Sequence, residues 1–168
     1  MSAAANAVRD AVPEALRAAG WLVLTIDSLR LALPQRDVRL IELVADLQPV
    51  AAEGEPAIGR LLHEDADPWP AYCLDGELHL QRPVPAVRRI CVFIEAGDHV
   101  TGIACDRVQS LATDAELTVE PVPGCMTGIR SPITGFARYQ AEITAVLDAA
   151  ALAAYLAFLQ GHGHAAHE

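Results

Sequence analysis

Residues 89–108 read R-I-C-V-F-I-E-A-G-D-H-V-T-G-I-A-C-D-R-V, and this stretch decides the fold. Two apolar, β-rich runs, Ile90–Ile94 and Val100–Val108, flank Glu95-Ala96-Gly97-Asp98-His99. Such runs around a short Gly/Asp turn predict a β-hairpin. Gly97 suits a turn position with positive φ, and Gly102 suits a bulge or a close backbone approach within a strand. A similar pair follows, Ile133–Ala137 and Ile143–Leu147, joined by Arg138–Glu142. A helix is expected from Asp148, which can cap it. Its apolar face is Leu152, Tyr155, Leu156 and Leu159, and Gly161 ends it.

Upstream, Trp21–Asp27 and Leu29–Leu33 read as a β pair around a tight turn at Asp27-Ser28. Pro34–Asp37 reads as a turn or a single helical turn, and Val38–Val44 as the next strand. Residues 46–57 are rich in proline, glycine and acid, and so form a loop. Ala57–Leu62 is a short apolar run, His63–Pro68 an acidic turn, and Trp69–Leu74 another strand, placed at an edge or a strand start by Pro70. Leu78–Leu80 is a short run. Gln81–Val87 holds Pro83 and Pro85, and the stretch 81–89 is the expected junction between two lobes. Thr113-Asp114-Ala115-Glu116 offers a capping box, Leu117–Val122 a strand and Pro121–Pro132 a loop. Residues 1–20 read as a helical arm, because Val8, Val12, Leu16 and Ala19 recur at helical spacing; Pro13 starts a second helical segment, which Gly20 ends. Many short strands with helices only at the ends argue an all-β fold, and barrel closure would dispose of its edges.

The chain has 168 residues and a net charge of −10. That length suits one domain or two small lobes. The charge is concentrated: between Glu42 and Glu77 nine acidic residues face Arg60 alone. Phosphate recognition wants a basic face, so nucleic acid is disfavoured as a partner. The acidic stretch could steer a basic protein partner, or serve as a solvated surface loop. No apolar stretch approaches the about 20 residues needed to cross a bilayer, and Met1–Gly20 lacks the basic start and Leu-rich centre of a secretory signal. A cytoplasmic protein without membrane insertion is expected.

The chemistry-bearing residues are sparse. All 12 basic residues are arginine, which removes P-loop, Schiff-base and Ser-Lys mechanisms. None of the serines at 2, 28, 110 and 131 lies in G-x-S-x-G. Cys73, Cys91, Cys105 and Cys125 make no C-x-x-C pair. Cys91 and Cys105 could lie close together on the two hairpin arms, and the simplest reading is small core hydrophobes. His162, His164 and His167 form a tail cluster that would bind a metal only weakly without supporting residues. No cofactor, no physiological metal and no catalytic residue is expected.

The order of these elements resembles the CheW family, the scaffold proteins of bacterial chemosensory arrays. The resemblance covers residues 21–156. It rests on W-L-V-L-T-I-D-S-L-R-L-A-L-P-Q-R-D-V-R-L-I from Trp21, on Gly102-Ile103 with Asp106-Arg107-Val108, and on Thr134-Gly135 with Leu147-Asp148. It implies an all-β fold of two five-stranded SH3-like barrels side by side, here spanning 21–160, with an extra N-terminal helix, a short C-terminal helix and a His-containing tail at 161–168. It further implies a non-enzymatic adaptor between methyl-accepting chemoreceptors and a CheA-type histidine kinase. The strand around Val38, Leu40 and Ile41 would face the kinase, and the groove between the lobes would take the tip of a receptor helical hairpin. Asp106 and Gly135 carry the family pattern and join the partner-binding candidates. The chain departs from the family at its middle. An Asn-Leu-Arg-Gly step usually precedes the P-x-x-D-L-type strand, whereas His63-Glu64-Asp65-Ala66-Asp67 precedes Pro70 here. Leu40 also stands where the family favours glutamate. Glu64 and Asp65 are thus expected to alter receptor or kinase preference, as in auxiliary members of type IV pilus twitching clusters. The alternative is a stand-alone β-barrel domain that binds a small ligand or another protein, with an enclosed cavity lined by Trp21, Tyr72 or Phe136.

Overall fold

The structure, a computed structural model, describes residues 20–64, 66–112, 116–126 and 130–162. Its strands are β1 (Trp21–Ile26), β2 (Leu29–Pro34), β3 (Val38–Leu43), β4 (Gly59–His63), β5 (Ala66–Cys73), β6 (Ile90–Ala96), β7 (His99–Cys105), β8 (Arg107–Ala112), β9 (Thr118–Pro121), β10 (Ile133–Tyr139) and β11 (Glu142–Leu147). One α-helix, α1 (Ala149–His162), closes the described chain. The strands form two sheets, in the orders β8-β1-β2-β11-β10-β9 and β3-β6-β7-β5-β4. One sheet therefore has six strands where five were expected. The expected arm at 1–20 lies outside the described residues except for Gly20. So do most of the 113–116 capping box and the tail beyond His162.

The hairpin that decided the fold is present with a tighter turn than expected. Ile90 pairs with Cys105 and Ala96 with His99, so only Gly97 (φ +60°) and Asp98 form the turn. The second apolar arm does not run through to Val108. It breaks at Asp106, and β8 leaves to pair with β1 in the other sheet. The β10–β11 hairpin also turns on two residues, Gln140 (φ +50°) and Ala141 (φ +64°), rather than on Arg138–Glu142. The proline-rich segment 81–89 connects β5 to β6 within the five-stranded sheet. The chain changes sheet at 35–37 and at Asp106.

Period-two alternation explains why the strands read as unbroken apolar runs: both faces of each sheet are covered. In β1, Leu22, Leu24 and Ile26 point into a central core between the sheets, and Val23 points the other way. In β6, Val92 and Ile94 enter that central core, while Cys91 and Phe93 face the outer core of their own sheet. Each sheet thus has a small core on its far face, and the two sheets share a large one. α1 seals the shared core with Leu152, Tyr155 and Leu156. Asp148 caps α1, as expected, by accepting a bond from the Ala151 N–H at 2.7 Å, and Asp37 accepts from the Ala149 N–H at 3.1 Å.

The acidic turn at His63–Pro68 is shorter than expected, because Asp67 and Pro68 already belong to β5. β5 is also an interior strand rather than an edge. Pro70 is tolerated because β5 pairs there only with β4, opposite Arg60; pairing to β7 starts one residue later, at Ala71 opposite Gly102. Beyond β3 the chain returns to β4 through an antiparallel bridge between Gln48 and Arg60, with N–H···O bonds of 2.8 and 2.9 Å.

Candidate partner-binding surface

β3 is an edge strand, hydrogen-bonded to β6 alone. An irregularity between Val38 and Leu40 shifts its register. Val38 leans on the central core, and Leu40, opposite Phe93, packs against the outer core of the five-stranded sheet. Ile41 stays 46% exposed and Leu43 54% exposed. Opposite Val92 and Ile90 respectively, these two side chains share the face that continues into the central core. Of the three candidates on this strand, Ile41 is the one that presents apolar surface to solvent, and Leu43 extends it. Leu43 was not singled out from sequence; its place two residues after Ile41 was the available signal.

Glu64 sits exposed in the β4–β5 turn, and Asp65 lies outside the described residues. Nearby, the His63 ring stacks on Trp69 at 4.7 Å, and Trp69 tilts against Phe93 at 6.0 Å. β4 and β3 are opposite ends of the strand order, so the acidic turn and the Ile41 strip are separate features of one sheet.

Asp106 belongs to a different kind of site. Its Oδ1 accepts from the Arg88 Nη1 at 2.6 Å, and its Oδ2 accepts from the Asp27 N–H at 2.6 Å. Arg88 Nη2 reaches Asp27 Oδ1 at 2.9 Å, and Asp27 Oδ2 accepts from the Gly76 N–H at 2.8 Å. The Arg88 side chain is fully buried, while those of Asp106 and Asp27 are 19% and 45% exposed. Burial alone would lower the Arg88 pKa. The neighbouring Cys73 thiol and the two carboxylates more than offset that and raise it. This triad joins the β1–β2 turn, the entry to β6 and the crossover from β7 to β8. Sequence reading missed Arg88, because an isolated arginine in a proline-rich connection carries no periodic signal.

Gly135 lies in β10, in the other sheet. A Cβ there would meet the Glu120 carbonyl oxygen at 2.5 Å, so glycine lets β9 and β10 approach. The six candidates among the described residues therefore do not converge: three share β3, Glu64 marks the acidic turn, and Asp106 and Gly135 occupy structural junctions.

Two surface clefts are formed by described residues alone. One, of about 590 Å³, is lined by Thr25, Asp27, Arg30, Val87, Arg107 and Glu142 among others, and so carries charges of both signs. The other, of about 450 Å³, is lined by Thr118, Pro121, Pro123, Phe136, Arg138 and Ile143. Of the aromatic residues considered for a ligand cavity, Phe136 lines this second cleft, Tyr72 is buried in the central core and Trp21 packs against the far core of the six-stranded sheet. Cys73, Cys91 and Cys105 are buried free thiols. Burial pushes all three up, Cys105 to about 12, and holds them in the un-ionised form that neither attacks nor ligates. Among the described residues, no three His, Cys, Asp or Glu side chains gather as a metal site, and no helix is long and apolar enough to cross a membrane.

Two sheets with separate outer cores, a shared inner core and a sealing C-terminal helix make up a fold that is similar to that of a solved scaffolding protein. One such solved structure is the crystal structure of the scaffolding protein TtCheW from Thermoanaerobacter tengcongensis. It has a TM-score of 0.61 and 14% identity, and covers 77% of this chain and 88% of that one. No family model and no curated protein sequence matches the chain. The likeness is therefore one of fold, at low sequence identity.

Proposed function

We propose that this protein is a non-enzymatic cytoplasmic adaptor that couples methyl-accepting chemoreceptors to a CheA-type histidine kinase, in chemotaxis or twitching-motility signalling. The observation that carries the reading is the CheW-like fold together with an edge strand, β3, that leaves Ile41 and Leu43 exposed. An apolar strip on an unpaired edge can dock against a partner domain without any bond-making chemistry. The kinase would meet this strip, with Val38 anchoring the strand on the same face and Leu40 anchoring it from the opposite one. The groove between the sheets would take the receptor tip, and Glu64 and Asp65 would bias the choice of partner. The Gln48–Arg60 bridge supports closure of the five-stranded sheet into a barrel, as the resemblance implies.

The test is binding of the purified protein to the regulatory domains of the CheA-type kinases of its own organism. Micromolar binding that Ile41→Asp abolishes in a folded variant is the expected result. Absence of binding to any of them would move attention to the alternative, a β-barrel domain with a ligand or protein partner elsewhere. The cleft holding Phe136, Pro121 and Ile143 is then the place to screen, because Ile143 is 72% exposed there.

A further inference from the structure

We propose that the cleft of about 590 Å³ docks an acidic segment of a partner protein, with Arg89 and Arg107 receiving its carboxylates and Val87 an apolar side chain beside them. The proposal goes beyond the adaptor reading, and the cleft shares no residue with the β3 strip. The first observation is how the charges are committed. The buried Arg88 takes up Asp27 and Asp106. Arg30 takes up Glu142 and also donates to Gln109 Oε1 at 2.9 Å. Every carboxylate lining the cleft is thereby paired with an arginine. Two lining guanidiniums remain. That of Arg107 has no partner among the described residues, and Arg89 spends only its Nε, on the Ala86 carbonyl at 3.4 Å. Both residues are exposed. The cleft therefore presents uncommitted positive charge in a chain whose net charge is −10. It attracts carboxylates that the rest of the surface repels.

The second observation is Arg30, which also lines the cleft. Its side chain is only 10% exposed, held by Glu142, by Gln109 and over the Tyr139 ring at 5.4 Å. Its Nε is a buried donor that meets no acceptor among the described residues. A buried unpaired donor calls for an explanation, and an acceptor brought in by a docked segment supplies one. The third is Val87, an apolar side chain left 60% exposed on the same cleft. Apolar surface beside two guanidiniums fits a segment that mixes acidic and apolar residues rather than a lone inorganic anion. The planar fork of each guanidinium suits two-point binding of a carboxylate. The overall negative charge disfavours a long polyanion such as nucleic acid, whose phosphates would run beyond the cleft.

The test uses the full-length, isotope-labelled protein and a blocked peptide, acetyl-Glu-Glu-Leu-Glu-Glu-amide, at low salt. Amide and methyl shifts report where the peptide binds. Saturable shifts at Ser28, Val87 and Arg107 are expected, with a Kd of about 1 mM or tighter. The same peptide with glutamine in place of each glutamate should not produce them, which tests the charge requirement without any variant. Arg89→Gln/Arg107→Gln removes two exposed charges, so the fold should hold while affinity falls about fivefold or more. Arg138→Gln, which removes an exposed arginine from the other cleft, should leave affinity unchanged. Equal binding by the glutamine peptide, an unchanged affinity for the folded double variant, or shifts confined to other surfaces would overturn the proposal. So would binding of inorganic phosphate at these residues without binding of the peptide, because the cleft would then serve a small anion. Failure of the kinase to bind the protein would remove the adaptor reading and leave this site standing, since no kinase enters the test.

Discussion

Arg88→Met tests whether the buried triad holds the two sheets in register. The substitution keeps an unbranched apolar stem of similar reach and removes the guanidinium that both Asp27 and Asp106 face. Breaking a buried pair by removing one partner costs about 3–5 kcal/mol, because the remaining charge loses its compensation. Here the remaining charges differ. Asp106 is 19% exposed and keeps only the Asp27 N–H, while Asp27 is 45% exposed and can rehydrate. The expected loss is therefore near the lower end, about 3 kcal/mol. For a chain of this size that corresponds to a melting temperature lowered by roughly 6–12 °C. Urea unfolding should show the midpoint falling with an unchanged slope. Asp106→Asn should also destabilise, since it leaves Arg88 with Asp27 as its remaining carboxylate partner among the described residues. The double variant should cost at least 1 kcal/mol less than the two single losses added, because it removes the charge pair together. A loss below about 1 kcal/mol for Arg88→Met, or strictly additive single effects, would refute the view that the triad is a coupled buried network.

Three further outcomes follow from the same geometry. Gly102→Ala would place a Cβ 2.7 Å from both the Cys91 sulfur and the Phe93 ring, so thermal unfolding should show a loss of about 1–3 kcal/mol from overpacking. Ile41→Asp, at a position 46% exposed, should shift stability by less than about 1 kcal/mol yet weaken kinase binding at least tenfold by calorimetry; equal binding by the folded variant would remove β3 from the interface. Cys105, raised from 9.0 to about 12, remains protonated in the native state while the unfolded chain ionises from pH 9 upward. The unfolded state then binds fewer protons, so stability falls as pH rises through that window, by roughly 1.4 kcal/mol at pH 10 for this thiol. Cys105→Ala should flatten the pH 8–10 slope in urea titrations, and an unchanged slope would contradict the burial.

What the sequence made legible and what it hid divide along a physical line. Apolar runs such as Ile90–Ile94 announced strands because both faces of each sheet are covered, and Asp148 announced its helix because capping is local. Turn lengths were less visible. Gln140 and Ala141 adopt positive φ without glycine or asparagine, so nothing in their chemistry marks a two-residue turn. Strand order was hidden as well. Pro70 reads as an edge residue, yet β5 is interior, and the conflict disappears only once the pairing to β7 is seen to begin at Ala71. The partner-binding candidates suffered most. Val38, Leu40 and Ile41 look equivalent in sequence, but strict alternation from Val38 would put Leu40 on its side of the sheet and Ile41 opposite. The register shift between Val38 and Leu40 breaks that alternation, turning Leu40 inward toward Phe93 and leaving Ile41 outside with Leu43. A one-residue irregularity thus determines which side chain a partner can touch. Such irregularities are fixed by packing from the neighbouring strand rather than by the residues that display them, which is why a surface of this kind becomes readable only in three dimensions.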